Sequence, residues 1–325
     1  CFAKKLLEQN LCRRVIIFSR DEWKQWEMKS KDPIYSSDKI RYFLGDVRDK
    51  ERLRRAFSDV QIVVHAAALK QVPAAEYNPS EFVKTNILGA MNVIDAAIDM
   101  NVEKVIALST DKAVNPVNLY GATKLCSDKI IIAAKSYVGS KKSPLFSVVR
   151  YGNVLGSRGS LLPHWKHLLD TGSDFLPITD ERMTRFWITL DQASQFVIDK
   201  ICTMEGGEIF IPKSPSVSIV DLAKAFAPDV PQKICGIRPG EKINEVLLTQ
   251  DDGLYSYEMS DCYFIKPEVE EHIKKSVLPK NAKKLPNDFV LASNTNPLFI
   301  TDEKQITDLL KTLPTNTLWR GKKKS

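Results

Sequence analysis

The chain has 325 residues, 43% hydrophobic and 27% charged, with a formal net charge of +7. That length supports one large core or two modest ones, and the balance excludes disordered, collagen-like and coiled-coil classes. No stretch reaches the roughly eighteen apolar residues of a spanning helix, and the start Cys1-Phe2-Ala3-Lys4-Lys5 lacks the apolar centre of a secretory leader.

In chain order, Phe2, Ala3, Leu6 and Leu7 are apolar at helical spacing. Short β-rich runs follow at Val15-Ile16-Ile17-Phe18, Tyr42-Phe43-Leu44, Ile62-Val63-Val64, Val105-Ile106-Ala107-Leu108 and Phe146-Ser147-Val148-Val149. Between the third and fourth, Phe82, Val83, Ile87, Ala90, Val93, Ile94 and Ala97 make one helical stripe. Ser30 to Lys39 reads as an inserted surface loop. Near-continuous apolar strands alternating with helices predict an α/β fold with a doubly wound parallel sheet. Such a sheet usually opens with a strand and a glycine-rich turn, yet no G-x-G-x-x-G occurs here and the first element already reads as the following helix. The expectation is a chain lacking the first strand and glycine loop, with the two neighbours of that strand left unpaired.

After about Gly156 the rhythm breaks, with more Pro, Gly and Ser. One strand (Glu208 to Ile211) and helices over Asp191–Thr203, Ser218–Phe226 and Thr301–Leu313 remain, the last stopped by Pro314. Asp251 to Lys284 is weakly patterned. The expected division is a nucleotide-binding domain over 1–155, with returns from the later chain, and a smaller mixed lobe with the tail over 156–325.

Six cysteines lie far apart with no C-x-x-C pair, which reads as reduced thiols in a cytoplasmic protein rather than a metal cluster. His164 and His167, one helical turn apart with no acidic partner between them, read as a wet helix face and not a metal site. Part of the positive charge is the run Arg320, Lys322, Lys323 and Lys324, a solvated tail.

The chemistry concentrates in Leu108-Ser109-Thr110-Asp111-Lys112-Ala113 and Asn118-Leu119-Tyr120-Gly121-Ala122-Thr123-Lys124. This stretch starts at the carboxyl end of a predicted buried strand, where open α/β sheets place ligands. Tyr120 and Lys124 share a helix face at i, i+4. A phenol with a pKa of about 10 is a poor base, and an ammonium nearby favours the phenolate, so the pair suits proton removal from an alcohol.

With these strings on the page, the chain resembles the extended short-chain dehydrogenase/reductase family and, within it, the inverting UDP-N-acetylglucosamine 4,6-dehydratases of pseudaminic acid and related nucleotide-sugar pathways. The resemblance also rests on Phe18-Ser19-Arg20-Asp21-Glu22, Gly45-Asp46-Val47-Arg48-Asp49, His65-Ala66-Ala67-Ala68-Leu69-Lys70 and Ala75-Glu76-Tyr77-Asn78-Pro79. Further on come Arg150-Tyr151-Gly152-Asn153-Val154-Leu155-Gly156-Ser157-Arg158-Gly159-Ser160, Pro177-Ile178-Thr179-Asp180, Met183 to Thr189 and Gly236-Ile237-Arg238-Pro239-Gly240-Glu241-Lys242. It covers residues 1 to about 250 and fades afterwards. Ordinary sugar dehydratases of the superfamily carry Asp-Glu where Asp111-Lys112 stand, and the retaining relatives usually carry Met in place of Tyr120.

The resemblance implies a Rossmann-like domain, a UDP-sugar substrate, NADP in preference to NAD, a homo-oligomer, and no nucleic-acid or membrane partner. Eliminating water across C5 and C6 of a sugar needs C4 oxidised first, because only then is the C5 proton acidic. The implied roles are Tyr120 with Lys124 for the C4 hydroxyl proton, Lys112 (deprotonated through burial) as the C5 base, and Asp111 (kept protonated) as the acid for the C6 hydroxyl. Adjacent strand residues face opposite ways, so this requires the strand to end by Thr110.

For the cofactor, Arg20 and Lys24 suit a 2′-phosphate, although Asp21 and Glu22 leave a ribose hydroxyl contact, and hence NAD, open. The bland alternative for Arg20 is an exposed loop cation. The resemblance adds Ser19, Asp46 and Val47 near the adenine, Ala66 and Ala67 for close backbone approach, Lys70 reaching both ligands, and Val154, Leu155, Gly156, Ser157 and Arg158. Without a glycine loop, weak NADP binding is expected of the chain as written. For the sugar nucleotide it implies Lys70, Lys112, Asn153, Ser157, Leu161, Thr179, Arg238 and Glu241, with Arg158 and Arg238 suited to the diphosphate; Asn153 and Thr179 also read as turn or capping residues. Two rivals stand: a nucleotide-sugar 4-epimerase or reductase of the same superfamily, and a nucleic-acid or scaffold protein. The latter fits poorly, because Trp23, Trp26, Trp165, Trp187 and Trp319 form no aromatic stripe among the basic residues.

Overall fold

The apolar runs of the first half become β1 (Val15–Ser19), β2 (Ile40–Leu44), β3 (Ile62–His65), β4 (Lys104–Thr110) and β5 (Leu145–Tyr151) in a computed structural model that describes residues 1–138, 144–266, 278–313 and 317–319. Pro314 and the basic run Arg320, Lys322, Lys323 and Lys324 lie outside the described residues. β1 pairs with β2, and β3, β4 and β5 pair in sequence, all parallel. Val105, Ile106 and Ala107 are buried because both faces of β4 are covered.

The later chain adds β6 (Asn153–Val154), β7 (Leu176–Ile178), β8 (Thr184–Ile188), β9 (Ile209–Pro212), β10 (Ser216–Ser218), β11 (Gln232–Ile234), β12 (Val246–Leu248), β13 (Ser256–Glu258), β14 (Cys262–Ile265), β15 (Lys283–Lys284), β16 (Leu291–Ala292) and β17 (Phe299–Ile300). β9 joins β5 in parallel, and β14, β13 and β15 continue antiparallel, so one sheet runs β15-β13-β14-β9-β5-β4-β3. The fold is thus α/β with a largely parallel central sheet. Among the described residues β1 pairs only with β2, and β3 is the last strand of the larger sheet, so the parallel layer is split between them.

Two expectations shift in register. Ser30 and Lys31 close the helix Glu22–Lys31, and Pro33–Ser36 is a 3-10 turn in place of an open loop. The Asp32 carboxylate caps that turn at the Ile34 N–H and takes a bond from Lys4 Nζ at 2.6 Å. In the stripe after β3, Phe82, Ala90, Val93, Ile94 and Ala97 are buried, but Val83 is exposed and Ile87 half-buried. Residues Val83–Leu88 form a π turn, whose extra residue rotates the helical face.

The second lobe has its own core. The helices Leu161–Asp170, Ile219–Phe226 and Glu303–Lys311 bring Leu162, Trp165, Leu222 and Leu310 against Trp187 of β8 and Leu176 of β7. His164 and His167 are exposed on the first of these helices. The chain crosses back with the helix Leu190–Thr203 and β9, so the larger sheet holds strands from both halves. Among the described residues no helix is long and apolar enough to cross a membrane.

Candidate active site

β4 ends at Thr110 and the chain turns at once into a 3-10 turn, Asp111–Ala113. The Thr110 hydroxyl accepts from the Lys112 backbone N–H at 3.3 Å and donates to Asp111 Oδ1 at 2.9 Å. Strand alternation therefore stops where the chemistry requires it, and the two side chains converge: Lys112 Nζ donates to Asp111 Oδ1 at 2.9 Å. Two glycines make room. A Cβ on Gly121 would collide with the Lys112 carbonyl, and one on Gly152 would lie 2.5 Å from Phe186 Cβ and 3.3 Å from Asp111 Oδ2.

The helix Leu119–Ala133 starts just beyond this turn, capped by Asn118, whose side-chain oxygen accepts the Gly121 N–H at 2.8 Å. The Asn118 amide donates to the Gly240 carbonyl at 2.8 Å, which ties the Arg238–Glu241 loop to the helix start. Tyr120 and Lys124 share the buried face of this helix. Thr110, Asp111 and Lys112 thus form one hydrogen-bonded group, with Tyr120 beside it.

The electrostatics run against one expectation. Burial alone would push the Lys112 pKa down, but the Asp111 and Glu245 carboxylates outweigh it and hold the amine above its ordinary value, so the resting side chain is an ammonium rather than a free amine. Lys124 Nζ donates to the Leu108 carbonyl at 2.9 Å. Burial pushes the Tyr120 phenol up, and the groups that oppose this are Lys112 and the Thr110 hydroxyl. Full burial raises the Asp111 carboxyl pKa, Lys112 opposing and Glu245 adding to the rise, and Oδ2 is buried with no hydrogen-bond partner.

Around this centre the chain places further groups that pattern reading had not singled out for a role. Glu245, just before β12, puts Oε1 3.4 Å from Lys112 Nζ. Arg185 of β8 and Lys242 flank it. Asn86, in the π turn, accepts the Leu69 N–H at 2.8 Å and donates to the Leu69 carbonyl at 2.9 Å and to Thr123 Oγ1 at 3.0 Å, fixing the loop after β3. A π turn at a functional loop was the available signal, and it is invisible to a search for helical periodicity.

The residues expected at the cofactor line the carboxyl ends of β1, β2 and β3. Arg20 Nη1 lies 3.5 Å from Asp46 Oδ2, and Lys24 Nζ lies 3.2 Å from Asp21 Oδ2, so both cations are exposed and paired. Asp21 caps its helix through the Lys24 N–H at 3.0 Å. Glu22 is in the first turn of the same helix, and Ser19 ends β1, with its hydroxyl accepting the Asp21 N–H at 3.2 Å. Val47 is buried, while Ala66 and Ala67 stand exposed after β3. Small exposed side chains at a strand end leave backbone open to a flat ligand, so these residues fit a dinucleotide. His65 beneath them is fully buried; burial first, with Lys124 second, pushes its pKa down to about 3, so it is neutral.

Lys70 Nζ donates to the Arg158 carbonyl at 3.3 Å, joining the loop after β3 to the turn Val154–Arg158. Gly156 in that turn has φ +69°, and a Cβ there would lie 2.5 Å from Leu313. Leu155 is buried in the second-lobe core, with Leu161 packed against it. The Ser157 N–H donates to the Val154 carbonyl at 3.2 Å, so these residues form a turn. Asn153 Oδ1 is buried with no partner. Arg238 Nη2 lies 2.6 Å from Glu241 Oε1, so these two are paired with each other rather than with the catalytic turn. Thr179 follows β7, which pairs with β11, the strand leading to Arg238.

Comparison with known proteins places this geometry. The family model described as "Polysaccharide biosynthesis protein" matches residues 1–267. The chain is 51% identical over 314 residues to a UDP-N-acetylglucosamine 4,6-dehydratase (inverting) of Campylobacter jejuni subsp. jejuni serotype O:23/36, covering 95% of this chain and 92% of that protein. It is 37% identical over 310 residues to a UDP-glucose 4-epimerase of Rickettsia prowazekii, covering 94% and 88%. Among solved structures, Pen from Bacillus thuringiensis superposes with a TM-score of 0.85 at 33% identity, covering 96% of this chain and 94% of that one.

Proposed function

The chain belongs to the polysaccharide biosynthesis protein family, and from that premise we propose that it is an inverting UDP-N-acetylglucosamine 4,6-dehydratase, a hydro-lyase that forms a UDP-4-keto-6-deoxy-N-acetylhexosamine. The observation that carries this reading is the Asp111–Lys112 pair, converging on a 3-10 turn beside Tyr120. The 51% identity to a named dehydratase of this type supports it over nearly the whole chain. A 4-epimerase needs a base for the C4 hydroxyl but has no use for a buried acid and amine at C5 and C6.

Within this reading the residues take the following roles. Tyr120 accepts the C4 hydroxyl proton, with the Lys112 ammonium and the Thr110 hydroxyl opposing the upward push of burial on the phenol. Lys124 holds the helix face to β4 through the Leu108 carbonyl. Ser19, Arg20, Asp46, Ala66 and Ala67 would hold a nicotinamide dinucleotide, which would supply the redox chemistry needed at C4 and C6.

The acid and the base share one proton. Moving it across the 2.9 Å bond from Lys112 Nζ to Asp111 Oδ1 turns ammonium and carboxylate into amine and carboxylic acid with no change in total charge. Desolvation of the pair favours these neutral forms. The amine then takes the C5 proton, and the carboxylic acid gives its proton to the C6 hydroxyl as water leaves. That elimination regenerates the ion pair. Protonation of C5 from the opposite face by solvent, which takes up in exchange the proton held by Tyr120, gives the inverted product.

Arg20 and Lys24 support NADP over NAD, being cations at the end of β1 suited to a 2′-phosphate. Lys70, Asn153, Ser157, Arg158, Leu161, Thr179, Arg238 and Glu241 form the sugar-nucleotide side of this reading, and the pseudaminic acid type of pathway, a homo-oligomer and a cytoplasmic location belong to it by resemblance. The deciding experiment is incubation with UDP-N-acetylglucosamine and NADP followed by proton NMR. A new C6 methyl doublet is expected; a C4 epimer with no methyl signal would sink the dehydratase reading in favour of an epimerase.

A further inference from the structure

Those roles leave one buried charged group unused. Glu245 is 3% exposed, and its backbone N–H donates to the Ser293 hydroxyl at 2.9 Å, which fixes it in place. Its Oε1 lies 3.4 Å from Lys112 Nζ and 3.8 Å from Arg185 Nε, and Oε2 lies 3.6 Å from Lys242 Nζ with no hydrogen-bond partner. The charged groups facing it are Asp111 and Lys112 from the catalytic turn, Arg185 from β8 and Lys242 from its own loop; Lys70 and Tyr120 are near enough to Lys112 to be influenced by its charge.

A carboxylate placed only to stabilise the fold would have both oxygens satisfied. Here the flanking cations direct their donors elsewhere. Arg185 donates to the Thr184, Ile243 and Lys242 carbonyls, and Lys242 Nζ donates to the Val114 carbonyl at 2.6 Å. The shortest of the three approaches is that of the Lys112 ammonium, whose other partner is Asp111. A fixed negative charge beside two groups that share a proton raises the proton affinity of both.

We propose that Glu245 is a positioning residue for the dehydration, keeping the exchangeable proton on the Asp111–Lys112 pair and the amine directed toward the carboxylate. The proposal rests on the dehydratase reading. Without the Glu245 charge, the pair loses its single proton at lower pH, leaving carboxylate and amine with no acid for the C6 hydroxyl. On the acid side, the second proton, which blocks the amine, is also taken up only at lower pH. Both limbs of the pH profile therefore depend on Glu245, and in the same direction.

The test is the pH dependence of kcat for methyl-product formation. Glu245→Gln moves both limbs to lower pH by about 1–3 units, with KM for the sugar nucleotide unchanged. Glu245→Asp keeps the charge and returns the limbs toward those of the parent. Lys242→Met removes a neighbouring cation, moves the limbs to higher pH, and serves as the probe should the Gln variant not fold. A folded Gln variant of reduced rate with its limbs in place would mark Glu245 as structural and overturn the proposal, as would unmoved limbs in Lys242→Met if that variant alone folds. A parent enzyme that yields no methyl product would instead overturn the dehydratase reading.

Discussion

The catalytic turn at the end of β4 and the rim at the end of β1 both carry charges of both signs, but in different surroundings. At the turn, Asp111 and Glu245 are buried, and Lys112 is held between them with a side-chain exposure of 28%. At the rim, Arg20 and Lys24 are more than half exposed and their carboxylate partners lie in or near water. A buried charge responds strongly to each neighbour, whereas an exposed pair is screened and contributes little to stability. Proton positions at the turn are therefore sensitive to each nearby charge, whereas the ion pairs of the rim are screened by water.

The sharpest way to break that contrast is Lys112→Ala. Product formation is expected to fall about 10²–10⁴-fold, the usual value of a general base. The reduced nicotinamide absorbance should still rise in a single turnover, though more slowly, because Lys112 is not the base for the C4 hydroxyl but its charge favours the Tyr120 phenolate. A variant that still made methyl product at the parent rate would show that the buried pair has no proton to set.

Asn86→Ala tests the support beneath both regions. Losing its amide leaves the buried-side Leu69 N–H and carbonyl without partners, at a cost of about 1–3 kcal/mol in urea unfolding. Lower cofactor affinity should accompany it.

His65 sharpens the burial argument through pH. Its folded pKa is about 3, against about 6.5 in an unfolded chain. As pH falls below the unfolded value, the unfolded state takes the proton first, so stability is lost on acidification from 6.5 towards 3, by up to about 1.4 kcal/mol per pH unit. Denaturation midpoints at several pH values should show a shallower slope in His65→Gln, and an identical slope would mean that His65 is not the neutral buried group described.

The smallest effect belongs to the rim. Arg20→Ser should weaken NADP binding about tenfold at low salt, by loss of one charge-assisted bond. The difference from the parent should shrink as salt rises. NAD binding unaltered beside weakened NADP binding, read by titration calorimetry, would locate the 2′-phosphate at Arg20.

How much of this was legible in the sequence varies from residue to residue. The parallel strands were, because runs such as Val105-Ile106-Ala107-Leu108 have the composition of a strand covered on both faces. So was the break after Thr110, which a reading of Asp111 and Lys112 as acid and base had to assume. The altered face at Val83 and Ile87 was not, because a π turn differs from an α-helix by one residue and leaves no mark in composition. Neither was the partner of Lys124: i, i+4 spacing puts it on the Tyr120 face but does not say that the Leu108 carbonyl captures its ammonium.

By itself, the sequence determined which residue types stand together at one strand end. Asp111, Lys112, Tyr120 and Lys124 are neighbours in the chain, and backbone geometry brings neighbours to one site whatever the rest of the fold does. The tertiary structure alone decided the protonation of that site. Glu245, Arg185 and Lys242 arrive from distant segments, and the charge on Lys112 follows from distances through space to Asp111 and Glu245. Order along the chain does not encode those distances.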